Sequence, residues 1–496
     1  MTGSKPPSVA DIDPELLQPV KGKGCLATCQ SSKGMTYLFL GAAAIVIAFL
    51  TAIIVVTLLN NPEDCSAPTD CSTVCRFELV ESMPDNLTYP DNTPAFKSTY
   101  DAWSELLSEA QEKVDLAVFY WSLTSSDVKP GSHFPSASDG AAILQQLKDT
   151  GLKEGVKMRI AQNAATSSSP QLNSAMLSKA GAAEVRNVDI QRLVGGVLHT
   201  KLWLVDDDKM YIGSANMDFR SLTQVKELGV LISNCSCLVQ DMRKIFEEYW
   251  SVGGSGRIPA AWPEQFSTKI NLQNPLSISL NGITASSLVS SSPPPFTSHG
   301  RTDDVNAIVA AIADAKKTVD VAVMDYFPRT LYTHRSWFWP DLDNALRSAA
   351  VDGVRVRILA SHWKHTRKDL VLWLQSLVDI TMRYPRINIQ AKLFVVPAYT
   401  DEQKEIPFSR VNHNKYMVTD RIAYIGTSNW SGDYFINTGG VGLIVNESLS
   451  HSSSPPDDLK SSLRTQLQSV FNRDWNSEYA RPLFEFLPKK ETADEV

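Results

Sequence analysis

The sequence predicts an α/β fold of two similar lobes, each a mixed β-sheet flanked by helices. Three pairs of matching segments predict this fold, because they occur in the same order in both halves of the 496-residue chain. In each half, strand-like segments alternate with helix-like segments, a pattern typical of a sheet covered by helices. Two copies imply lobes related by a pseudo-twofold axis, with one shared active site at that axis.

The first two matching pairs are apolar strands, each preceded by a helical stretch. They are EKVDLAVFYW (Glu112–Trp121) with KTVDVAVMDYF (Lys317–Phe327), and GVKMRIA (Gly155–Ala161) with GVRVRILA (Gly353–Ala360). A Ser/Pro-rich stretch opens the second half. We therefore place lobe 1 at residues 77–275 and lobe 2 at residues 276–489.

The third pair carries chemically active side chains. HTKLWLVDDDKMYIGSAN spans His199–Asn216, and HNKYMVTDRIAYIGTSN spans His413–Asn429. Each copy reads His-x-Lys, four residues, Asp, a short turn, an apolar strand and Gly-[Ser/Thr]-x-Asn. Residues two apart on a strand share a face, so a hairpin would gather His, Lys, Ser and Asn around one small volume.

These residue types supply what cleavage of a phosphodiester requires. One imidazole can attack phosphorus and form a phosphohistidine, and a second can protonate the leaving oxygen and then activate water. Lysine and asparagine can hold the non-bridging oxygens as their charge grows. No metal or other cofactor is then required. The candidate catalytic residues are His199, Lys201, His413 and Lys415, and the candidate phosphate-binding or orienting residues include Ser214, Asn216, Ser428 and Asn429.

The motif aspartates, Asp206 and Asp420, join the candidate catalytic set by their place in the pattern. Asp206 lies seven residues after His199, an odd offset that turns it to the opposite strand face. We therefore expect both carboxylates to support the hairpin turn rather than to touch substrate.

The charge of the chain limits its partners. The formal net charge is −7 at pH 7, which argues against a broad basic surface that coats nucleic acid. A narrow basic slot is compatible with it.

A long apolar segment, Tyr37–Leu59, can cross a bilayer as a helix, which takes about 20 residues. A cleaved signal peptide or a buried helix is the alternative. Lysines precede the segment and acidic residues follow it, which predicts a cytosolic N-terminus and a type II single-pass topology. The predicted order is a cytosolic tail (1–34), a transmembrane helix (35–59), a lumenal stem (60–76), the two lobes and a C-terminal tail (490–496).

Five of the seven cysteines follow the predicted span. In an oxidising lumen, Cys71 and Cys75 with Cys235 and Cys237 can make two disulfides that tie the stem to lobe 1. Cys65 is left over, and it could be free or bridge two subunits of a homodimer.

Asn-x-Ser/Thr sequons predict glycosylation at Asn86, Asn234 and Asn446, with Asn86 the most usable. Asn429 also fits the sequon pattern, but it belongs to the catalytic motif.

Several side chains outside the motif allow two interpretations. Tyr120 and Trp121, like their lobe 2 counterparts, end a strand and could stack bases of a single strand or pack in the core. Trp363 and its neighbouring histidines could line the cleft or form a surface loop. Arg220 could bind phosphate or form a structural ion pair.

These residues resemble the phospholipase D superfamily, whose motif is His-x-Lys-x4-Asp followed by Gly-[Gly/Ser]-x-Asn, twice per active unit. The resemblance covers about Arg76 to Leu487. The strings LVES, FYWSLT, GVLHTK, NCSCL and YIGTSNWSGDYF are similar to the type II membrane branch of family members 3 and 4, and nearer to the member 3 group.

The resemblance implies a 5′-3′ exonuclease that degrades single-stranded DNA and RNA in endolysosomes, limits nucleic-acid sensing, and leaves a 3′-phosphate. It also implies a route from the endoplasmic reticulum and Golgi to the lysosome lumen, where a soluble form could be released.

The resemblance further implies an orienting carboxylate eleven residues past the motif asparagine. Glu227 lies there in lobe 1, and Gly440 takes the matching place in lobe 2. We expect Glu227 to accept a hydrogen bond from Nδ1–H of His199, so that His199 is the nucleophile and His413 the general acid.

Two other functions compete with the nuclease. The superfamily also suggests a phospholipid transphosphatidylase or phospholipase acting on lysosomal lipids, which would show an apolar patch beside the site. A non-catalytic membrane scaffold is disfavoured, because both half-sites retain every motif residue.

Overall fold

The computed structural model describes residues 71–447 and 462–488. The predicted cytosolic tail, transmembrane segment and most of the stem lie outside these residues, as do Cys65 and the C-terminal tail. Within the described ranges, no helix is both long and apolar enough to cross a membrane.

Lobe 1 contains a mixed sheet in which the strands follow the order β1-β10-β8-β7-β3-β5-β6. Strands β3, β5 and β6 are parallel to one another, and the remaining pairs in this order are antiparallel. The lobe 1 strands are β1 (Val74–Ser82), β2 (Lys97–Ser98), β3 (Lys113–Val118), β4 (Trp121–Ser122), β5 (Lys157–Asn163), β6 (Glu184–Val188), β7 (Leu202–Val205), β8 (Lys209–Gly213), β9 (Met217–Asp218) and β10 (Glu227–Ser233).

Lobe 2 repeats this order strand for strand, as β12-β21-β19-β18-β14-β16-β17. The lobe 2 strands are β11 (Leu276–Leu280), β12 (Ile283–Ser292), β13 (Thr302–Asp303), β14 (Thr318–Val323), β15 (Tyr326–Phe327), β16 (Arg355–Ser361), β17 (Ile389–Phe394), β18 (Lys415–Thr419), β19 (Ile422–Gly426), β20 (Trp430–Ser431), β21 (Gly440–Asn446) and β22 (Ala480–Pro482). The predicted α/β fold of two similar lobes is therefore confirmed, while the exact lobe boundary stays a prediction.

Helices cover the sheets of both lobes. The α-helices of lobe 1 are α1 (Thr99–Glu109), α2 (Ser125–Val128), α3 (Ser138–Leu152), α4 (Leu172–Lys179), α5 (Ile190–Val194), α6 (Arg220–Thr223) and α7 (Ser236–Ser255). Those of lobe 2 are α8 (Asp304–Asp314), α9 (Asp341–Val351), α10 (Asp369–Arg383), α11 (Asp401–Glu405), α12 (Gly432–Ile436) and α13 (Leu463–Trp475). Short 3₁₀ turns occur at Pro135–Ala137, Glu264–Phe266, Pro294–Phe296 and Leu483–Phe486.

The central parallel strands are covered on both faces. In lobe 1, α1 and α3 pack on one face of β3 and α7 packs on the other. A strand buried on both sides has apolar residues at successive positions instead of alternating ones, which accounts for the short apolar runs in the repeat.

One buried ion pair recurs in the core of each lobe. Asp115 in β3 is fully buried and accepts two hydrogen bonds from Arg159 in β5, at 2.7 and 2.8 Å. Asp320 in β14 accepts the same pair from Arg357 in β16, at 2.7 and 2.6 Å. A buried carboxylate requires such a partner, so the recurrence reflects the same fold built twice.

The segment around β1 joins the two sheets. Its N-terminal end pairs in parallel with β11, and β11 pairs antiparallel with β12 of lobe 2. Two disulfides, Cys71–Cys237 and Cys75–Cys235, tie the stem end to the start of α7, as the sequence predicts.

A buried cluster of four charges connects the C-terminal helix to the centre of the molecule. The Nζ of Lys226 is fully buried, 2.9 Å from Asp474 and 3.4 Å from Glu81. Arg473 in α13 pairs with both carboxylates, at 2.6 Å for Glu81 and 3.1 Å for Asp474. The four charges cancel, which reduces the cost of removing them from water.

Candidate active site

One cavity of about 600 Å³ contains residues from both repeats. Its wall includes His199 and Asn216 of lobe 1, His413 and Asn429 of lobe 2, and Glu227. The two halves of the predicted site therefore meet at one place, although they lie more than 200 residues apart in the chain.

Each motif histidine lies just before its strand rather than within it. β7 begins at Leu202 and β18 at Lys415. The backbone N–H groups of the two histidines pair with the opposite lobe. The His199 N–H donates to Gly439 O, and the His413 N–H donates to Lys226 O, both at 2.8 Å. These crossed contacts bring the imidazoles to the lobe interface.

The orienting carboxylate serves the other histidine than the one we expected. Glu227 contacts Nδ1 of His413 at 2.8 and 3.0 Å, so its predicted pairing with His199 is wrong. The sequence offset placed Glu227 correctly on its strand. It could not reveal that the His413 backbone pairs with the residue before Glu227 and brings the ring across the interface.

His199 has a backbone carbonyl as its partner instead. Its Nδ1 lies 2.9 Å from Thr427 O. A carbonyl can only accept, so Nδ1 must carry the proton, and Nε2 of the neutral ring has its lone pair free. Phe119 and Tyr434 hold the ring with their own rings, each centred 5.0 Å from it. Sequence analysis missed both, although Phe119 lies in the first repeat and Tyr434 five residues past Asn429.

Lobe 2 has no space for a second carboxylate. A Cβ at Gly440 would come 2.5 Å from Ser428 Oγ and 2.9 Å from Ser292 Oγ. The Ser428 hydroxyl is buried against this position and has no hydrogen-bond partner among the described residues. Ser428 therefore packs at the site where lobe 1 has Glu227, and it does not line the cavity as we expected of a phosphate ligand.

The environments of the two imidazoles differ electrostatically. Burial and the nearby charges of Lys201, Lys415 and His413 hold the pKa of His199 well below its ordinary value. Burial also lowers the pKa of His413, but Glu227 partly offsets it. Burial would raise the pKa of Glu227, and His413 beside it reverses this, so the carboxylate stays ionised. His199 is thus the ring kept neutral, and His413 is the ring helped to hold a proton.

The two motif lysines are buried next to the histidines. Lys201 Nζ donates to His199 O at 2.5 Å, and Lys415 Nζ donates to His413 O at 2.8 Å. Neither makes an ion pair with any described residue. Burial holds the pKa of Lys201 well below its ordinary value and lowers that of Lys415 to about 7. Neither lysine lines the cavity directly, but an anion bound in the cavity would favour their charged forms.

The hydroxyl of Ser214 does not face the cavity with Asn216, contrary to expectation. It donates to Leu228 O at 3.2 Å and accepts from Leu228 N at 3.0 Å. Its counterpart Thr427 bonds Val441 in the same way. These hydroxyls hold each motif hairpin to the neighbouring strand.

The motif aspartates lie in the hairpin turns. The Asp206 carboxylate accepts backbone N–H bonds from residues 111–113, and Asp420 accepts from residues 316–318, at 2.9 to 3.1 Å for their shortest contacts. Both anchor the turn to the start of the first repeat strand, as their odd offset predicts. Asp206 and Asp420 therefore have a structural role, and they do not belong among the catalytic residues as the motif suggested.

Arg220 pairs with Asp218 at 2.6 Å, as the structural alternative expects, and it also lines the cavity. Tyr120 lines the cavity as well, and its hydroxyl donates to Asp218 at 2.8 Å. Trp121 is buried, and its Nε1 donates to Gln162. Asn86 and Asn234 are exposed, whereas Asn446 is half-buried. No three histidine, cysteine or acidic side chains within residues 71–447 and 462–488 are arranged to hold a metal ion.

Known proteins are similar to this chain in sequence or in fold. The family model for the PLD3/4, PLD-like domain matches residues 90–399. A Xenopus laevis protein named 5'-3' exonuclease PLD3 is 48% identical over 413 residues, which cover 83% of this chain and 81% of that protein. The Homo sapiens protein of the same name is 44% identical over 418 residues, covering 84% and 82%. Phosphatidylserine synthase of Haemophilus influenzae shares the fold, with a TM-score of 0.51 at 12% identity over 79% of this chain and 88% of that one.

The paired motifs and the repeated sheet define a phosphodiesterase of the phospholipase D class. Within that class, the chain belongs to the PLD3/4 family.

Proposed function

We propose that this protein removes nucleotides from the 5′ end of single-stranded DNA and RNA through a phosphohistidine. One observation carries the proposal: two imidazoles, each bonded through Nδ1, share one cavity and keep Nε2 for chemistry. The name 5'-3' exonuclease, printed for relatives that cover most of this chain, supports the polarity.

In the first step, Nε2 of His199 attacks the phosphorus between the first and second nucleotides. A P–N bond forms as the P–O5′ bond breaks, and the leaving O5′ takes the proton from Nε2 of His413. His199 suits the attack because its ring is neutral, and His413 suits the proton transfer because Glu227 stabilises its charged form.

In the second step, water attacks the same phosphorus and gives its proton to His413. The P–N bond breaks and restores neutral His199. The products are a nucleoside 3′-phosphate and a strand shortened by one nucleotide with a free 5′-hydroxyl. The Glu227–His413 pair ends the cycle as it began.

The buried charges favour a phosphodiester in this cavity. Lys201 and Lys415 contribute positive charge when protonated. Glu227 contacts His413 directly, and Asp325 in the cavity wall acts electrostatically on Lys415. A bound phosphodiester carries one negative charge and would favour the charged forms of both lysines.

We also propose that the catalytic lobes are lumenal, in an endolysosomal compartment. Both disulfides lie in the described fold, and such bonds persist in oxidising compartments. Exposed Asn86 would carry a glycan there. Digestion with an N-glycosidase should shift the mobility of the wild-type protein, and an Asn86→Gln variant should lack one step of that shift. This topology would be contradicted if the protein carried no glycan and if protease added outside sealed vesicles digested the catalytic lobes.

The activity is tested by offering the purified protein single-stranded DNA labelled at its first nucleotide, or labelled phosphatidylcholine, at acidic pH. We expect release of labelled nucleoside 3′-phosphate by the wild type and none by His199→Ala. His133→Ala, at an exposed histidine outside the cavity, is the matched control and should retain full activity. Lipid turnover without nucleotide release would replace the nuclease by the phospholipase.

The nucleophile is identified by trapping the adduct. A His413→Ala variant lacks the group that activates water, so the phosphohistidine should accumulate with substrate that carries a good leaving group. Mass spectrometry of the modified peptide should locate the phosphoryl group on His199. A wild-type adduct on His413 would reverse the two roles.

A further inference from the structure

The lobe 2 rim of the cavity carries three neighbouring aromatic side chains that the two-step mechanism does not use. His365 and Phe408 stack with their ring centres 4.6 Å apart and their planes 18° apart. Trp363 contacts both, edge-on to His365 at 4.8 Å and to Phe408 at 6.4 Å. Trp363 and Phe408 also line the cavity that holds the catalytic imidazoles. The three rings, here called the aromatic rim, are continuous with the site.

Phe408 is exposed to solvent on a strained backbone. Its side chain is 61% exposed, although it is large and apolar. Its backbone has φ +53°, in the left-handed region that a bulky residue rarely adopts. The contacts of Phe408 with His365 and Trp363 leave most of its ring in water, and an exposed apolar ring on a strained turn at a cavity favours contact with a ligand.

The aromatic rim is surrounded by positive charge. Residues 362–368, between β16 and α10, read HWKHTRK and contain no acidic residue. Lys364, Arg367 and Lys368 are exposed, and none makes an ion pair within the described part of the chain. Arg367 is near enough to the cavity to act electrostatically on buried Asp325 in its wall. A local basic loop in a chain of net charge −7 favours an anionic partner.

The direction of the reaction decides which part of a strand would reach the aromatic rim. In the proposed mechanism His413 protonates the leaving O5′, so the departing strand lies on the His413 side. Pro407, Phe408 and Val411 shortly precede His413 in the chain and line the same cavity. The base of the second nucleotide would therefore leave the cavity across Phe408.

We propose that the aromatic rim is a base-stacking subsite for the second nucleotide, and that Lys364, Arg367 and Lys368 contact the phosphates of the strand beyond it. This inference rests on the proposed nuclease function. Stacking tolerates every base, because each has a flat π-face, and cations beside the rings hold the backbone. An acyl chain would use the apolar surface but would leave the three cations and the parallel ring faces without a role.

The test combines a protein change with a substrate change. Wild type and Phe408→Ala are each given single strands of equal length, with an abasic residue at the second or at the sixth nucleotide. Removal of the base at position two should lower kcat/KM of the wild type about tenfold, as removal of one stacked base–aromatic pair does. Phe408→Ala should show the same decrease on intact substrate and almost no further decrease at position two. The abasic residue at position six should behave alike in both proteins.

Further variants separate stacking from bulk and from folding. Phe408→Trp should retain the wild-type rate, whereas Phe408→Leu, which keeps the apolar volume, should be as slow as Phe408→Ala. Phe484→Ala, at another strongly exposed phenylalanine outside the cavity, is the matched control and should change nothing. Replacing all three rim cations by glutamine should reduce the slope of log kcat/KM against log salt by about 0.7 for each phosphate that a cation no longer neutralises.

The outcomes distinguish this subsite from the proposed function. A wild type that releases no nucleotides refutes both. A wild type that degrades intact strands, with additive decreases from Phe408→Ala and the position-two abasic residue, refutes the subsite and leaves the nuclease in place. Full activity of Phe408→Leu would likewise overturn stacking.

Discussion

Replacing Glu227 by glutamine tests the electrostatic division between the two histidines. The carboxylate is fully buried and lies 2.8 Å from His413 Nδ1. For charge centres about 4 Å apart at an effective dielectric constant of about 20, the attraction between imidazolium and carboxylate is about 4 kcal/mol. Glutamine keeps one hydrogen bond but no charge. We expect about 3 kcal/mol of this attraction to disappear, which corresponds to a fall in kcat of about a hundredfold.

The pH dependence of the fall in kcat caused by Glu227→Gln identifies its origin. Without Glu227, the pKa of His413 should fall further, so the general acid would be deprotonated at a lower pH. The deficit in kcat should therefore be largest near neutral pH and shrink as the pH falls, since His413 is then protonated in both proteins. Single-turnover release of nucleoside 3′-phosphate between about pH 4 and about pH 7.5 measures it.

A buried carboxyl that does not line the cavity provides the control. Burial raises the pKa of Glu248 to about 8, so this side chain is mainly neutral over the assay range. Glu248→Gln should change neither the rate nor its pH dependence. A Glu227→Gln deficit that is equal at every pH, or a rate indistinguishable from wild type, would refute the electrostatic reasoning.

Three more predictions concern the other charged side chains. Because burial lowers the pKa of Lys415 to about 7, kcat/KM should fall as the pH rises through about 7, where the phosphate-binding charge is lost; a flat pH–kcat/KM profile up to about pH 9 would contradict this. Asp420→Asn should lower the free energy of unfolding by about 1–2 kcal/mol in urea titrations, because its half-exposed carboxylate accepts three backbone bonds. These bonds lower the Asp420 pKa, so the difference should be present above the unfolded pKa and vanish in acid. Lys226→Met should lower the free energy of unfolding by about 3–5 kcal/mol, because it leaves an unbalanced buried charge. Adding Asp474→Asn should restore part of that stability, and equal stability of the single and double variants would count against a charge origin.

Much of the architecture could be predicted because each repeated segment is a short, continuous stretch of sequence. Strands β3 and β14 read VDLAV and VDVAV, and the equal order of the later segments implied equal sheets. The two disulfides followed from cysteine spacing and compartment. The odd offset of Asp206 and Asp420 from the motif histidines predicted that both carboxylates turn away from the substrate face, because side chains alternate along a strand.

Other features depend on contacts that no local pattern encodes. Ser214 and Asn216 share the predicted face by spacing, yet the Ser214 hydroxyl turns to the backbone of the neighbouring strand. Phe119 and Tyr434 enclose His199 from opposite lobes. The exposed position of Phe408 arises from a left-handed turn that its residue type does not favour.

The sequence by itself determined the class of fold, the chemistry of the motifs and the need for two half-sites, because periodicity and spacing act over a few residues. Tertiary structure alone decided which histidine is hydrogen-bonded to Glu227. That choice depends on His413 pairing through its backbone with Lys226, the residue before Glu227, across the interface between the lobes. Hydrogen bonds between segments almost 190 residues apart are set by how the two sheets pack, and packing is a property of the whole chain.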